Sequence, residues 1–192
     1  MIAKTTIIHP SVVLGSNVTI EDYCIIKKNT SVGSNSLIRS HTVIYKNNKI
    51  GNNFITGNHV NIREGNKIGN NVSIGSLTNV EHHVTIEDGV RIHSQVFIPE
   101  LTILKQACWI GPNVVITNSK YPLSKNSKEE LKGVIIGRHT IIGANSTILP
   151  GIKIEDDCLI GAGSVVVKNV QTDSILVGNP AVYINKKSER YD

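Results

Sequence analysis

Seven histidines and three cysteines hold most of the reactive side chains in this chain. His82 stands in Val80-Glu81-His82-His83, where the carboxylate beside it could orient an imidazole as a general base. His93 stands in Ile92-His93-Ser94-Gln95-Val96, between aliphatic residues and next to a hydroxyl and an amide. His41, His59, His83 and His139 recur at one turn position, where a histidine is ordinarily just solvated. Cys24, Cys108 and Cys158 suggest a thiol nucleophile, but each falls at a small, inward position of the pattern described below. A free cysteine there acts as a small hydrophobe. An odd number of widely spaced cysteines argues against a disulfide framework, and no Cys/His spacing fits a zinc site. Arg63 and Glu64 interrupt a series of small turn residues. They could hold a sugar or a neighbouring subunit, or simply pair at the surface.

The elements that position these residues follow from a repeat. Starting at Ile8 and stepping by six, the chain shows an aliphatic residue at every step to Ile116, with Thr56 as the single departure. The series resumes at Ile136 and runs to Val166. A period of six is incompatible with a helix of 3.6 residues per turn. It suits short strands separated by tight turns, with the repeat residue and the residue four places on both pointing inward. That second position is small or apolar in most units, as at Val18, Cys24, Thr42, Phe54, Val60 and Val84. The position after the repeat residue is often glycine, and Asn or Asp commonly follows, as in Gly51-Asn52-Asn53. These are residues that adopt turn angles at low cost. Three units make one triangular coil, so coils stack residue on residue with a period of eighteen.

Composition agrees with an all-β solenoid. Hydrophobic residues make up 40% of the 192 and aromatic residues 4%, so the core is Ile, Val and Leu. The net charge of +5 suits an anionic partner such as a nucleotide or coenzyme phosphate, and equally an ordinary basic protein. No basic block is interleaved with aromatics, which argues against nucleic acid. No apolar run is long enough to cross a bilayer, and the first ten residues do not read as a signal peptide. The expected location is the cytoplasm, with no membrane association.

The repeat resembles that of the hexapeptide-repeat acyltransferases over about residues 7–180. The resemblance implies a left-handed parallel β-helix, a homotrimer, and acetyl-CoA as co-substrate. Handedness comes from the resemblance alone, since it runs against the usual crossover preference. The expected organisation is one β-helix domain over residues 1–181 and a polar tail over 182–192, either a short helix or a disordered end. About six coils are expected before the interruption and two after it.

Gly143-Ala144-Asn145, Gly161-Ala162-Gly163-Ser164 and Val177-Gly178-Asn179-Pro180-Ala181 look like the coenzyme A segment of that family. Gly111, Gly143, Ala144, Gly161, Ala162, Asn179 and Pro180 are thereby implied to receive the pantetheine arm. Lys168, Lys186 and Lys187 are candidates for its phosphates. The interruption, a polar loop over residues 118–133, follows Gly111-Pro112-Asn113-Val114-Val115-Ile116-Thr117-Asn118-Ser119-Lys120-Tyr121-Pro122. This run is similar to the motif before the active-site loop of nucleotide-linked amino-sugar N-acetyltransferases. Related O-acetyltransferases carry a histidine before the proline of this loop, whereas this chain has Tyr121. A hydroxyl must lose its proton to attack a thioester, while a neutral amine is already nucleophilic, so the resemblance favours N-acetylation. Counting coils back from the loop places the His93-Ser94-Gln95 corner just beneath its departure. His93, Ser94 and Gln95 are therefore the leading catalytic candidates, with His82 second. Arg63, Glu64, Asn79, Asn118 and Tyr121 are the candidates for acceptor binding. The expected oxyanion donor is a backbone N–H, with a corner glycine as the candidate. The competing readings are sugar or serine O-acetylation, a γ-carbonic-anhydrase-like metal protein and a purely structural solenoid. The metal protein would need three well-placed histidines, and His59, His82 and His93 do not share one repeat position.

Overall fold

The structure, a computed structural model, describes residues 1–189, so the last three residues of the expected tail lie outside the described residues. Twenty-five two-residue strands follow one another from Ile7–Ile8 to Val165–Val166. They form a left-handed parallel β-helix with three flat faces. The first face begins with Ile7–Ile8 and has nine strands, and the second begins with Val13–Leu14 and has eight. The third begins with Thr19–Ile20 and has ten.

The second residue of each strand points inward, and from the third coil onward burial there is nearly complete, as at Ile38, Ile44, Ile62, Ile98 and Ile110. The companion inward position is filled by Val60, Phe54, Cys108 and Cys158, all buried. Buried Ser and Thr also occur there, as at Thr30, Thr42 and Thr140, and two residues at that position are amides, Asn48 and Asn66. Asn48 Nδ2 donates to the carbonyls of Tyr45 and Arg63, both at 2.8 Å, and Asn66 Nδ2 donates to the Arg63 carbonyl at 2.9 Å. Their side-chain oxygens accept from the N–H groups of Asn66 and Val84 in the coils above, at 2.9 and 2.7 Å. A buried amide with these partners costs little, where an unpaired one would be destabilising.

Each coil pairs with the next at an offset of eighteen residues, as in Ile26↔Ile44, Ile62↔Val80 and Ile74↔Ile92. Across the interruption the offset is 32, with Leu104 paired to Ile136 and Ile110 to Ile142. The polar insertion is thus looped out at a corner, and the stack continues unbroken above it.

The corners assign different work to glycine and to asparagine. The left-handed backbone angle falls on the third corner residue, at Asn17, Asn35, Asn53, His59 and Gln95, with φ between 56° and 62°. This region costs most L-residues about 1 kcal/mol, less for Asn. The glycines one residue after the strand have ordinary angles and are needed for another reason. A Cβ on Gly33 would collide with the backbone of Gly51 and Asn52 in the coil above. The sequence expectation that both residue types supply turn angles is corrected here, since the early glycines are set by coil-to-coil contact.

The tail is also different from expectation. Ala181–Lys186 is a strand, paired antiparallel with Ser174–Gly178 at the end of the third face, and only Lys187–Glu189 forms a 3-10 turn. Ser188 secures the turn by donating its hydroxyl and N–H to the Asp173 carboxylate at 2.6 and 2.7 Å. These bonds hold the Asp173 carboxyl below the usual range. Among the described residues no helix is long and apolar enough to cross a membrane.

Gly33→Ala is expected to destabilise the protein by about 1–3 kcal/mol, because backbone cannot yield as a flexible side chain can. That corresponds to a fall in Tm of roughly 3–10 °C. Gly163→Asn, at φ 71° with no atom within 4 Å of a new Cβ, is expected to leave Tm nearly unchanged. Thermal melts of the two variants check the distinction.

Candidate functional site

The three corners form three edges running along the prism. The corner between the third and first faces carries Gly75-Ser76-Leu77, His93-Ser94-Gln95, Gly111-Pro112-Asn113, Gly143-Ala144-Asn145 and Gly161-Ala162-Gly163 in successive coils. We call this the GA edge. The corner between the first and second faces carries Arg63-Glu64-Gly65, Glu81-His82-His83 and Pro99-Glu100-Leu101, with the polar loop above them. We call this the loop edge.

This arrangement divides the predicted site residues. His93, Ser94, Gln95, Gly111, Gly143, Ala144, Gly161 and Ala162 share the GA edge. Arg63, Glu64, His82, Asn118, Tyr121 and Lys168 lie on the loop edge. Asn79 is on the outer side of the first face, which joins the two edges. Asn179 and Pro180 make the turn of the terminal hairpin, and Lys186 ends its second strand. Lys187, at the start of the 3-10 turn, donates through Nζ to the His139 carbonyl at 2.8 Å.

One expectation is therefore corrected. The loop does not roof the His93 corner of its own chain. It leaves after Val115–Ile116, a strand of the first face that stacks through Phe97↔Val115 and Val80↔Ile98 on the His82 coil. His93 follows a strand of the third face. A count of coils places both residues near the loop in height. Only the position around the triangle, given by steps of eighteen, shows that the loop edge passes from His82 through Glu100 to Asn118.

On the GA edge the backbone of the His93 corner is held at several points. His93 N–H donates to the Ile110 carbonyl at 2.9 Å, and Thr78 donates its hydroxyl to the His93 carbonyl at 2.9 Å. Gln95 N–H donates to the Ser76 carbonyl at 2.9 Å. The His93 ring packs on Trp109, with centroids 4.6 Å apart and an interplanar angle of 56°. Among the described residues neither ring nitrogen has a hydrogen-bond partner.

The N–H groups of Gly111, Gly143 and Gly161 are all engaged, with the carbonyls of Ile142, Ile160 and Leu176 at 2.7–2.8 Å. The expectation of a glycine oxyanion donor is thus overturned. The free donors are one residue further on: among the described residues the N–H groups of Ser94, Ala144 and Ala162 have no acceptor. The glycine in the coil below adds no side chain there, and the residue in the coil above supplies no acceptor. A Cβ on Gly111 would lie 2.8 Å from Ala144 N, and one on Gly143 would lie 2.5 Å from Ala162 N. The GA edge therefore presents a row of unpaired backbone donors with no side chains over them.

The loop edge is a charged cluster. Arg63 Nε is 3.0 Å from Glu64, and its Nη1 is 3.5 Å from Glu81. His82 Nε2 is 3.1 Å from Glu100, and Nδ1 is 3.4 Å from Glu81, the latter close but without hydrogen-bond alignment. Partial burial raises the Glu64 carboxyl, but its own backbone N–H and Arg63 outweigh that and hold it below the usual range. Asn118 Nδ2 donates to the Glu100 carbonyl at 3.2 Å, and the Asn118 carbonyl accepts from Lys132 N–H at 2.8 Å. Asn118 thus clasps the base of the loop. Gly133 closes the loop against the Leu101 carbonyl, where any side chain would overlap backbone. Tyr121 is exposed and lines a cavity of about 480 Å³ with Ser119, Lys120, Glu130 and Lys132. Glu100 was absent from the sequence candidates, although a step of eighteen from His82 reaches it.

Two family profiles match along the repeat. One, described as bacterial transferase hexapeptide (six repeats), matches residues 11–46 and 65–100. The other, hexapeptide repeat of succinyl-transferase, matches residues 133–168. Between them they cover more than half of the chain, which belongs to the hexapeptide-repeat transferases. A serine acetyltransferase of Staphylococcus epidermidis is 34% identical over 116 residues, covering 59% of this chain and 52% of its own length. The galactoside O-acetyltransferase of Escherichia coli is 33% identical over 85 residues, 42% of each chain. This chain thus spans about half the length of the curated relatives it matches. In fold it is similar to the UDP-N-acetylglucosamine O-acyltransferase of Moraxella catarrhalis. That likeness has a TM-score of 0.57 at 24% identity and covers 98% of this chain and 75% of the other.

Burial raises the thiols of Cys24 and Cys158, and pushes that of Cys108 to about 12. Buried thiols held toward the protonated form are poor nucleophiles. Iodoacetamide at pH 7 is expected to leave Cys108 unmodified in the folded protein and to alkylate it in guanidinium, as read by intact mass. Modification of the native protein at a rate like that of free cysteine would contradict this.

Proposed function

We propose that this protein transfers an acetyl group from acetyl-CoA to the amino group of a nucleotide-linked amino sugar. The observation that carries the reading is the GA edge, where uncovered backbone donors and an unengaged imidazole lie along one line. Its small residues leave room for a pantetheine arm, whose amides can pair with backbone. The amine nitrogen attacks the thioester carbonyl, forming the amide C–N bond. The C–S bond breaks, and the thiolate leaves as free coenzyme A. The Ser94 or Ala144 N–H donates to the transient oxyanion. His93 accepts the amine proton. His82 suits that role less well, because both of its ring nitrogens already face carboxylates.

We further propose that a homotrimer completes the site. The first and third faces flank the GA edge and expose Ile7, Phe97, Val115 and Ile55. The second face exposes Val13 in its first coil, and further along it presents Lys49, Lys67 and Lys153. Apolar faces on both sides of one edge favour packing of copies there. In that packing a loop with Asn118 and Tyr121 reaches the GA edge of a neighbouring copy. The preference for an amine over a hydroxyl rests on Tyr121 standing where related O-acetyltransferases place a histidine. Use in surface polysaccharide synthesis and a cytoplasmic location are part of the same reading.

The test is release of free thiol from acetyl-CoA with a panel of UDP- and dTDP-amino sugars, against matched hydroxyl acceptors and serine. Release with amines alone is expected. Release with hydroxyl acceptors alone would replace this reading by O-acetylation. His93→Ala is expected to lower kcat by about 100-fold or more and to flatten the acid side of its pH profile. An unchanged kcat across pH would assign the proton to the leaving thiolate.

A further inference from the structure

Thr56 is the one polar residue in the inward aliphatic series, and nothing in the proposed chemistry uses it. Its surroundings show what it does. It is fully buried, and its hydroxyl accepts a hydrogen bond from Arg39 N–H at 2.9 Å. In the neighbouring coils the equivalent N–H groups of Glu21, Gly57, Gly75 and His93 donate to backbone carbonyls. At Arg39 the ladder is diverted to a side chain, and the strand pairing there is reduced to Leu37↔Ile55. A polar residue in an apolar column has therefore reset the start of one corner, and the residue it holds is an arginine.

Arg39 stands on the GA edge at the same corner position as Gly57, Gly75 and His93 in the next three coils. That is about 14 Å along the stack at ordinary strand spacing. The two glycines leave a trough between Arg39 and His93. The trough opens into a groove of about 250 Å³ on the third face. Arg91, beside His93 in its own coil, flanks the groove at the same height, and Ser94 lies at its upper rim. Both arginines are exposed, and among the described residues neither is in an ion pair. Glu21, the carboxylate just below Arg39, already accepts from the N–H and hydroxyl of Ser40, each at 3.1 Å.

We propose that this groove binds the diphosphate of the nucleotide-linked acceptor, with Arg39 and Arg91 as its ligands and Thr56 as the residue that positions Arg39. The proposal rests on the function proposed above for the identity of the acceptor, and on the groove itself for the anion. Guanidinium groups match phosphate oxygens with paired donors, and a glycine floor lets the ligand approach backbone. The position relative to His93 favours the acceptor over the coenzyme. The row of uncovered donors at Ala144 and Ala162 lies above His93, and the arginine groove extends below it. The two substrates would approach the imidazole from opposite ends of one edge.

Titration calorimetry with UDP, dTDP, GDP and coenzyme A distinguishes the two sources of diphosphate. The protein is expected to bind at least one of the nucleoside diphosphates. Arg39→Ala and Arg91→Ala are each expected to weaken that binding about tenfold or more and to leave coenzyme A affinity unchanged. Both side chains are exposed, so an unaltered Tm serves as the folding control. Thr56→Val is expected to weaken nucleotide binding in the native background but not further in Arg39→Ala. Equal losses in both backgrounds would remove Thr56 from the proposal. Unchanged nucleotide affinity in both arginine variants, no nucleoside diphosphate binding at all, or an equal or greater loss for coenzyme A would overturn the groove assignment. If acetyl transfer to amino sugars fails while the arginine-dependent binding holds, the groove stands and the proposed reaction falls. If transfer proceeds with the KM for the acceptor unchanged in both variants, the reverse is true.

Discussion

Each coil of this protein is hydrogen-bonded to the next, at eighteen residues through most of the stack, and the close approach of successive backbones governs the rest. At that spacing a side chain just after a strand points along the stack into its neighbour. Glycine at Gly33, Gly111 and Gly143 is the direct consequence. The same constraint makes side chains at equivalent corners meet as ladders. Ser34 N–H donates to Asn52, Asn52 N–H to Asn70 and Asn70 N–H to Asp88, each about one coil apart. Tyr23, His41 and His59 stack ring on ring, with centroids 5.0 and 4.6 Å apart. A repeat of this kind is stabilised mostly by nearest-neighbour contacts between coils, so a local change is felt mainly by the coils on either side.

The edges differ because their ladders differ. On the edge between the second and third faces, corner N–H groups are capped by Ser, Asn and Asp side chains from the coil above. On the GA edge, Pro112 and the alanines Ala144 and Ala162 carry no such side-chain oxygen, and the donors stay open. Lower on the same edge Ser40 and Asn58 N–H groups are capped by Glu21 and Ser76, so the open donors Ser94, Ala144 and Ala162 gather at its upper end, where an extended ligand needs hydrogen bonds. On the loop edge the ladder is ionic, and His82 sits between Glu81 and Glu100 beneath the loop that Asn118 clasps. The buried amides of Asn48 and Asn66 converge on the Arg63 carbonyl and brace this edge from inside.

Separation of the GA and loop edges also bears on assembly. Within one chain the first face lies between them, so the loop cannot close over its own His93. A second copy is the simplest way to bring a loop onto that corner. In the proposed trimer that copy would pack on the first and third faces, which expose Phe97, Val115 and Ile55.

Period, face count, coil count and the point of interruption were all legible in the sequence, because one residue in six must be aliphatic to fill a narrow triangular core. The burial of Cys24, Cys108 and Cys158 was legible for the same reason. Local patterns could not say which corner a residue occupies, since a step of six preserves the inward direction and rotates the residue to a different edge. That is why His93 was set beneath the loop, and why Glu100 escaped notice although it is eighteen residues from His82. The hydrogen-bond state of each corner N–H was equally out of reach, because it depends on the side chain one coil above. Thr56 was visible as an exception in the series, but its meaning lay in Arg39, seventeen residues earlier and one coil below. The sequence by itself determined a solenoid and its break. The tertiary stack decided which residues share an edge, because contacts at a separation of eighteen form only when the coils are closed.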